Sequence, residues 1–403
     1  MSLLKEQLLE NVEKYWTEIV QLRHYLHTNP ELSGQEFKTS AYLKEIISKW
    51  GLPIEEVPAD HFGSGTGFIA TLYTGRPGKT IGLRTDIDAL PVQEPDKNLK
   101  NTRVVKSNTP GVMHACGHDG HTATLIGAMR ILIDHKDQLT GKIIFIFEEG
   151  EEHSLGIHGM IKLLQTKNID AIYGNHLVAH LETGKIAVNN GPTMAALTTI
   201  NFDIVGQGGH GSRPDLSVNP IFAGAAILNS ISIAWNNQLN VSKTVTLGIT
   251  QFNSGQTNNV FDDRAHIGGT LRYFDEAEGE KAKQILMNIA EQVGAVHGCT
   301  IEDYSMNDAT TMAVINDSKL ADLGKQTVEE VLPNALVPGE PWFASEGFAY
   351  YRQVAPSLFT FIGTKNDILG SGAEHHNEYF DIDDESLKYS IMTMVAFTHN
   401  YLK

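Results

Sequence analysis

The chain has 403 residues, of which 41% are hydrophobic and 20% are charged. A chain of this length usually forms two domains, and this composition is typical of a mixed α/β enzyme. The 48 acidic and 31 basic residues give a formal net charge of −17, which repels nucleic acids and anionic membranes. We therefore expect a small-molecule substrate, and no nucleic acid or membrane as partner.

The cysteine content and the N-terminal pattern predict a cytoplasmic location. The two cysteines, Cys116 and Cys299, are too few for a disulfide framework. Residues 1–16 mix charged side chains into an apolar pattern, which predicts an amphipathic helix and no signal peptide. The sequence also has no uninterrupted apolar stretch long enough to span a membrane.

The first part of the chain alternates between helical and strand patterns. Apolar residues at helical spacing predict helices, and continuous apolar runs predict buried strands. In chain order we predict helices over 4–27 and 36–50, strands over 67–72 and 80–84, a helix over 122–139 and a strand over 142–147. This order is typical of an α/β domain with a central, mostly parallel sheet.

The pattern changes after Gly191-Pro192. A ferredoxin-like βαββαβ unit is predicted from a strand over 198–205, a helix over 220–235, strands over 241–251 and 266–274, a helix over 276–297 and a strand over 299–305. We predict a helix over 317–331, a strand over 357–362 and a helix over 383–402 after it. The predicted domains are thus a discontinuous catalytic domain over 1–192 and 306–403 and an inserted domain over 193–305.

The segment from His114 to His121 reads His-Ala-Cys-Gly-His-Asp-Gly-His. Cys116 and His118 lie in a glycine-containing turn, followed by Asp119 and His121, and such a turn can direct several ligands to one point. A thiolate and an imidazole together favour zinc, cobalt or nickel over magnesium or calcium. The alternative is a helix-capping loop whose histidines bond to the backbone.

An acidic cluster follows the predicted strand over 142–147. Its members are Glu148, Glu149, Glu151 and Glu152. Open α/β sheets bind ligands at the carboxyl ends of their strands, and other candidate ligands follow neighbouring strands, namely Asp86, Asp88 and His176. Repulsion among the glutamates would require a cation; the alternative is a solvated acidic loop.

The remaining histidines give weaker signals. His176, His375 and His376, each taken alone, are more typical of satisfied polar residues than of ligands. His210 differs because glycines flank it in Gly208-Gly209-His210-Gly211, which suits close approach of a ligand to the backbone. It lies in the predicted inserted domain, so a catalytic role requires that domain to reach a site in its own or a partner subunit.

Nearly end to end, the chain resembles the M20 metallopeptidase superfamily, in the branch of N-acyl-amino-acid amidohydrolases, hippurate hydrolases and auxin-conjugate hydrolases. The His114 to His121 segment is the most specific match. The other matches are Leu22-Arg23-His24, Pro30-Glu31-Leu32-Ser33, Arg84 to Pro91, Glu151-Glu152, His176, Gly208-Gly209-His210, Asn259-Val260, Gly269 to Arg272, Ser345-Glu346 with Phe348, and His376 with Phe380-Asp381.

The resemblance implies a site with two divalent ions, which would be zinc, manganese, cobalt or nickel. The implied ligands are Cys116, His118, Glu152, His176 and His376. We choose His376 over His375 because counting back from Phe380 preserves the family spacing.

The resemblance also implies roles in catalysis and substrate binding. It makes Glu151 the general base and makes His210 a histidine that completes a partner subunit's site. It places Asn259 and Arg272 near the substrate carboxylate, although from the residue alone Arg272 would be a surface salt bridge. The inserted domain is implied to be a lid and the interface of a homodimer.

The chain departs from the family pattern around the predicted site. Glu148-Glu149-Gly150 replaces Gln-Pro-Ala, 153–158 replaces a glycine-rich stretch, and Leu177-Val178-Ala179 replaces Val-Trp-Pro. Gly347 and Glu378 replace an Asp and a Pro. These changes leave the acyl-group specificity open and place His153 and His158 where they can perturb the metal site.

The expected function is hydrolysis of N-acyl amino acids by a metal-activated water with Glu151 as base. One alternative is a dipeptidase or carboxypeptidase of the same superfamily acting on short peptides. The other alternative is a metal-dependent binding protein without catalytic activity.

Overall fold

The structure is a computed structural model that describes residues 5–305 and 310–403. The predicted helix start at residue 4 and the predicted domain boundary at residue 306 lie outside the described residues. Within them the chain forms two compact units. The first unit comprises Met1–Thr193, Ile315–Glu340 and Tyr350–Lys403. The second unit comprises Met194–Val314 and Pro341–Ala349.

The helices and strands have the following bounds. The helices are α1 Lys5–Thr28, α2 Phe37–Ser48, α3 His118–Asp134, α4 Ile157–Gln165, α5 Pro220–Gln238, α6 Glu276–Val296, α7 Ser318–Val331 and α8 Ser386–Leu402. The strands are β1 Ile54–Glu56, β2 Phe68–Tyr73, β3 Thr80–Asp86, β4 Lys142–Glu148, β5 Ala171–Glu182, β6 Ile186–Ala187, β7 Gly191–Met194, β8 Ala196–Val205, β9 Gly209–His210, β10 Val245–Asn253, β11 Val260–Phe261, β12 Arg264–Tyr273, β13 Thr300–Asp303, β14 Thr310–Thr311, β15 Val314–Asn316, β16 Leu336–Val337 and β17 Ser357–Lys365.

The first unit is built on an eight-stranded sheet with the order β1-β2-β4-β3-β5-β17-β6-β16. Its centre is parallel, because β3 pairs in parallel with β4 and β5, and β5 with β17. β1 and β2 are antiparallel additions at one edge. The predicted mostly parallel sheet is confirmed.

The sequence explains why this sheet is central. β3 is buried along its whole length and β4 from Ile143 onward, as expected for parallel strands covered on both faces. α3 packs against α1, α8 and β3 and joins them in one apolar core. β3 and β4 end side by side at Asp86 and Glu148, which places polar side chains at one edge of the sheet.

The second unit contains a separate antiparallel sheet with the order β10-β12-β8-β13. Buried and half-buried residues alternate along β8, so one face of this sheet packs on a core. α5 and α6 pack against each other and against this sheet. The order of its longer elements is strand, helix, strand, strand, helix, strand.

Two differences from the predicted bounds bear on the domains and the site. Pro341–Ala349 belongs to the second unit, although the sequence assigned it to the catalytic domain. The reason is local, since the Ala195 N–H donates to the carbonyl oxygens of Trp342 and Ala344 (3.0 and 3.1 Å). α3 begins at His118 and not at residue 122, so the predicted ligand loop overlaps the first turn of a helix.

Among the described helices, none combines the length and the apolar composition that crossing a membrane requires.

Candidate metal centre

The structure brings the five predicted ligands and the predicted base together in the first unit. Among the described residues, four overlapping groups could hold a metal ion, and in each group the ligand atoms lie within 4.8 Å of one another; three of the four contain the six predicted residues. These three groups are Cys116 with His118 and His176, Cys116 with Glu152 and His376, and His118 with Glu151 and Glu152. The shared members make this one cluster, assembled from segments far apart in sequence.

A left-handed glycine positions Cys116 and His118. Gly117 has a φ of 87° and precedes α3, a conformation that glycine adopts without steric cost. The chain therefore turns sharply between Cys116 and the first residue of α3, His118. The alternative reading as a helix-capping loop is wrong for His118, whose Nδ1 bonds to Asp88 Oδ1 at 3.0 Å and not to backbone.

The other nitrogen of His118 is suited to a cation. His118 Nε2 and Glu152 Oε1 lie 3.7 Å apart, and both are buried without a hydrogen-bond partner among the described residues. An unpaired buried imidazole nitrogen and carboxylate oxygen are costly unless a ligand satisfies them. Nitrogen, oxygen and sulfur donors in one buried cluster fit a divalent transition metal.

Two histidines approach the sulfur of Cys116. Its Sγ lies 3.6 Å from His176 Nε2 and 3.7 Å from His375 Nδ1. Burial, together with the charge of Glu152, raises the pKa of the Cys116 thiol well above its usual value. A thiolate at this position therefore requires a compensating cation.

His375 supports the sulfur. Its Nε2 accepts from the Ala179 N–H at 3.2 Å, and burial lowers the pKa of the ring well below its usual value. The neutral ring then has its proton on Nδ1, which faces Cys116 Sγ. Sequence reasoning missed this role because it weighed His375 only as a rival ligand to its neighbour His376.

His121 has a supporting role. Its Nδ1 bonds to Asp86 Oδ1 at 2.8 Å, and its Nε2 accepts from the Leu177 N–H at 2.9 Å. Both ring nitrogens are therefore engaged, as expected for a residue that orients its neighbours.

Asp119 also supports the segment. Its Oδ2 accepts from Arg23 Nε and His27 Nδ1, both at 2.8 Å. Burial would raise the pKa of Asp119, but the charges of Arg23 and His27 outweigh it and hold that pKa far below its usual range. A buried ionic pair thus fixes the first turn of α3.

Only half of the acidic cluster faces the candidate centre. Glu148 is buried and accepts from Arg84 Nε and Tyr351 Oη, both at 2.7 Å. Glu149 is buried and accepts from the Thr66 N–H at 2.7 Å. The solvated-loop alternative is wrong for these two glutamates. The expected cation is Arg84 in the case of Glu148, whereas Glu149 accepts from neutral donors.

The predicted C-terminal ligand, His376, is more exposed than the other predicted ligands. His376 Nε2 lies 3.3 Å from Glu152 Oε2, and this contact raises the pKa of His376. Its backbone has a φ of 62°, and its N–H donates to the Ala115 carbonyl at 2.9 Å. Left-handed non-glycine residues of this kind are frequent at functional sites.

The supporting roles of two further residues were not predicted from the sequence. Asp88 was proposed as a ligand donor, but its carboxylate orients His118 and also accepts from Ser33 Oγ at 2.6 Å. Arg103 is buried and donates to the carbonyl oxygens of Phe380 (2.8 Å) and Glu378 (2.7 Å). Nothing in the sequence around Arg103 signals this contact, whereas Asp88 was recognisable from its position after a strand.

The second unit contains the remaining predicted site residues. His210 in β9 is paired with Val260 in β11, and the Gly211 N–H donates to the Asn259 carbonyl at 2.8 Å. His210 and Asn259 are therefore neighbours. Arg272 lies in β12 and is paired with Leu197. No hydrogen bond between described residues joins Arg272 to His210 or Asn259.

A comparison with protein families decides the class. The model of Peptidase family M20/M25/M40 matches residues 82–400 of the chain. The chain belongs to this peptidase family. The predicted family is confirmed, and the chain is a metal-dependent hydrolase of amide bonds.

Individual relatives are similar along most of the chain. Thermostable carboxypeptidase 2 of Saccharolobus solfataricus is 33% identical over 388 residues, covering 96% of this chain and 95% of the relative. An N-acyl-L-amino acid amidohydrolase of Geobacillus stearothermophilus is 34% identical over 299 residues, covering 74% and 78%. A Bacillus subtilis crystal structure, described as a dinuclear metal-binding peptidase of family M20, gives a TM-score of 0.81 at 27% identity and covers 97% and 99%.

Proposed function

We propose that this hydrolase removes the acyl group from N-acyl amino acids, with two divalent ions and with Glu151 as general base. The proposed ligands of the ions are Cys116, His118, Glu152, His176 and His376. The supporting observation is the pair of buried, unsatisfied ligand atoms, His118 Nε2 and Glu152 Oε1, beside Glu151. The candidate metals are zinc, manganese, cobalt and nickel.

The chemistry follows from the position of Glu151. Divalent ions at such a site lower the pKa of a water molecule and polarise an amide carbonyl. Glu151, which is 9% exposed, would accept the proton of the attacking water. It would then deliver that proton to the leaving amine nitrogen, so that the products are a carboxylic acid and a free amino acid.

The second unit supports a substrate with a free carboxylate. Arg272 is half-buried and has no ion-pair partner among the described residues, contrary to the surface salt bridge that the residue alone suggested. Burial lowers its pKa, as expected for a cation with uncompensated desolvation. We propose that Arg272 binds the carboxylate of the leaving amino acid through its planar donor fork, with Asn259 nearby.

We propose that His210 stabilises the oxyanion in the site of a partner subunit within a homodimer. Its Nδ1 accepts from the Ser212 N–H at 3.2 Å and lies 2.8 Å from Ser212 Oγ. The neutral ring then has its proton on Nε2, which is the donor that an oxyanion requires. The lid and dimer role of the second unit, and a cytoplasmic location consistent with two unpaired cysteines, belong to the same proposal.

A substrate panel tests the reaction. Metal-replete protein is incubated with N-acetyl, N-benzoyl and longer N-acyl amino acids and with dipeptides, with and without a chelator. We expect chelator-sensitive release of amino acid from the N-acyl substrates. Cleavage that survives chelation would contradict a metal-dependent mechanism.

A carboxypeptidase or dipeptidase is the second candidate, because the Saccharolobus solfataricus relative is a carboxypeptidase. Both reactions release an amino acid with a free carboxylate, so Arg272 fits either. The two differ in the other half of the substrate, which is a simple acyl group in one case and a peptide or free α-amine in the other. Faster turnover of dipeptides than of all N-acyl amino acids would select this candidate.

Variants of the base and of the second unit separate their roles. Glu151→Gln should lose turnover with its metal content retained, which would also exclude a binding protein without catalytic activity; full activity would refute the assignment of the base. Mixed dimers of Glu151→Gln and His210→Ala should regain activity, because one site would then have both residues. No recovery in verified heterodimers would refute the sharing of sites.

A further inference from the structure

A single hydroxyl group lies between two buried carboxyl groups next to the proposed catalytic turn. Thr66 Oγ1 is 2.8 Å from Glu36 Oε2 and 2.6 Å from Glu149 Oε2, which are hydrogen-bond distances. A hydroxyl has one proton and can donate to only one of them. The other contact requires a proton on a carboxyl group.

The remaining contacts indicate which carboxyl has that proton. Glu149 Oε2 also accepts from the Thr66 N–H at 2.7 Å and from Ser64 Oγ at 2.6 Å, and Glu149 Oε1 accepts from the Gly65 N–H at 3.2 Å. Several donors converging on one carboxylate favour its ionised form. Glu149 is therefore the charged member of the pair.

Glu36 has backbone donors at only one of its two oxygens. Its Oε1 accepts from the Gly34 and Gly150 N–H groups at 2.8 and 2.9 Å, while its Oε2 faces the Thr66 hydroxyl. Its side chain is fully buried. Burial and the charge of Asp88 raise the pKa of Glu36 to about 7.

The position of Glu36 connects this proton to catalysis. Gly150 has a φ of 60° and directly precedes Glu151, which begins a short 3-10 turn. Glu36 precedes α2 and ties the start of that helix to the turn. A change in Glu36 is therefore transmitted to the backbone that orients Glu151.

We propose that Glu36 is a neutral carboxylic acid and a positioning residue, which donates its proton to Thr66 while Thr66 donates to Glu149. The catalytic consequence rests on the proposed role of Glu151, whereas the protonation itself does not. The acidic groups facing Glu36 are Asp88 and, across Thr66, Glu149; no cation forms an ion pair with Glu36 among the described residues. Ionisation would leave two carboxylates competing for the one hydroxyl proton of Thr66, so that one of the two hydrogen bonds would be lost.

The pH dependence of stability has a definite sign. Because the folded-state pKa of Glu36 is raised, its contribution to stability is full below its usual pKa and is lost as the pH rises through about 7. Glu36→Gln keeps the acceptor for both N–H groups and donates an amide proton to Thr66 at every pH. We expect the melting temperature of Glu36→Gln to rise relative to wild type as the pH increases from 5 to about 8.

Glu149→Gln is the matched control. Its amide nitrogen would face existing donors, so we expect it to lower the melting temperature at all pH values in this range. Glu36→Ala should lose kcat, because the Gly150 N–H loses its acceptor, and Glu36→Gln should recover much of it. If Glu149→Gln were tolerated and Glu36→Gln were destabilising at every pH, the proton would belong to Glu149 and the assignment to Glu36 would be overturned.

Infrared spectroscopy detects the proton directly in the wild-type protein, and comparison with Glu36→Gln assigns it. We expect a protonated-carboxyl C=O stretch at pH 6 that disappears at alkaline pH and is absent from Glu36→Gln. Retention of this band in Glu36→Gln would refute the inference. A loss of the base assignment for Glu151 would leave both the band and the stability profile unchanged, so the two failures are distinguishable.

Discussion

The two ends of the candidate metal centre are held in different ways. At one end His118 is 1% exposed, and its ring is fixed by the buried carboxylate of Asp88. At the other end the His376 side chain is 53% exposed, and its ring contacts Glu152. The buried end is therefore supported by side-chain charges, and the exposed end by the backbone of the segment that contains His376.

The difference concerns how much each end is organised before a metal binds. Carboxylates behind ligating histidines fix the tautomer and the orientation of the ring and raise metal affinity. The exposed end depends on the bond from the His376 N–H to Ala115 and on Arg103, which holds the carbonyl oxygens of Glu378 and Phe380. We expect the first ion to bind at the buried end and the second ion, more weakly, at the exposed end.

The largest effect is expected from His118→Ala. It removes a ligand of the buried end, so we expect metal affinity to fall by more than the roughly 10–100-fold that loss of a supporting partner costs. Activity should fall to the level of the metal-free protein. Metal content by mass spectrometry of the native protein and turnover measure both effects.

His376→Ala is the matched control for the exposed end. We expect it to retain one ion per subunit under conditions in which His118→Ala retains none. Loss of both ions from both variants would show that the two ends are equally organised, and would contradict the expected difference in metal affinity between them.

Asp88→Asn should have the next largest effect. The amide preserves the shape but removes the charge behind His118, and such losses cost about 10–100-fold in metal affinity. Ser33→Ala, which removes only the hydroxyl that donates to Asp88, is the milder control. Affinity from competition with a chelator measures both, and an unchanged value in Asp88→Asn would mean that Asp88 does not orient the ligand.

The part of this centre that was predictable from sequence is the part made of local patterns. Buried apolar runs predicted β3 and β4, and Cys116, His118 and Glu152 were recognised by residue type and family spacing. The structure places all of these in one cluster. Residues that follow neighbouring strands could be expected to meet, because the carboxyl ends of parallel strands lie at one edge of the sheet.

Supporting residues such as Arg103 were not predictable, because their partners are far apart in sequence. Arg103 and Phe380 are separated by 277 positions, and the bond runs to a backbone oxygen, which leaves no trace in residue type. The expectation of a cation beside Glu149 was wrong for the same reason, since its neutral donors are in the segment around Thr66. Hydrophobic periodicity predicts helices and strands, but it does not predict which loops contact each other.

Arg103→Lys tests the support of the exposed end, with a smaller expected effect. Lysine keeps the positive charge near Glu94 but cannot reach both carbonyl oxygens as the guanidinium does. We expect the second ion to bind less than about tenfold more weakly, because Arg103 acts through the backbone and does not contact the ligand. The first ion should be unaffected, as judged by stepwise metal titration, and weakening of both ions alike would show a general loss of structure.

The smallest effect is expected from His153→Ala, which tests the solvent side of the exposed end. The sequence left open whether His153 perturbs the metal site, since it follows Glu152 directly. Its side chain is exposed, and it forms no hydrogen bond or ion pair through that side chain among the described residues, in contrast to Glu152 beside it. A surface residue without such contacts usually changes stability by less than about 0.5 kcal/mol. We therefore expect unchanged metal stoichiometry and an unchanged melting temperature, measured beside His376→Ala. If His153→Ala lost the second ion as His376→Ala does, the exposed end would extend further into solvent than His376, and the contrast with the buried end would be sharper still.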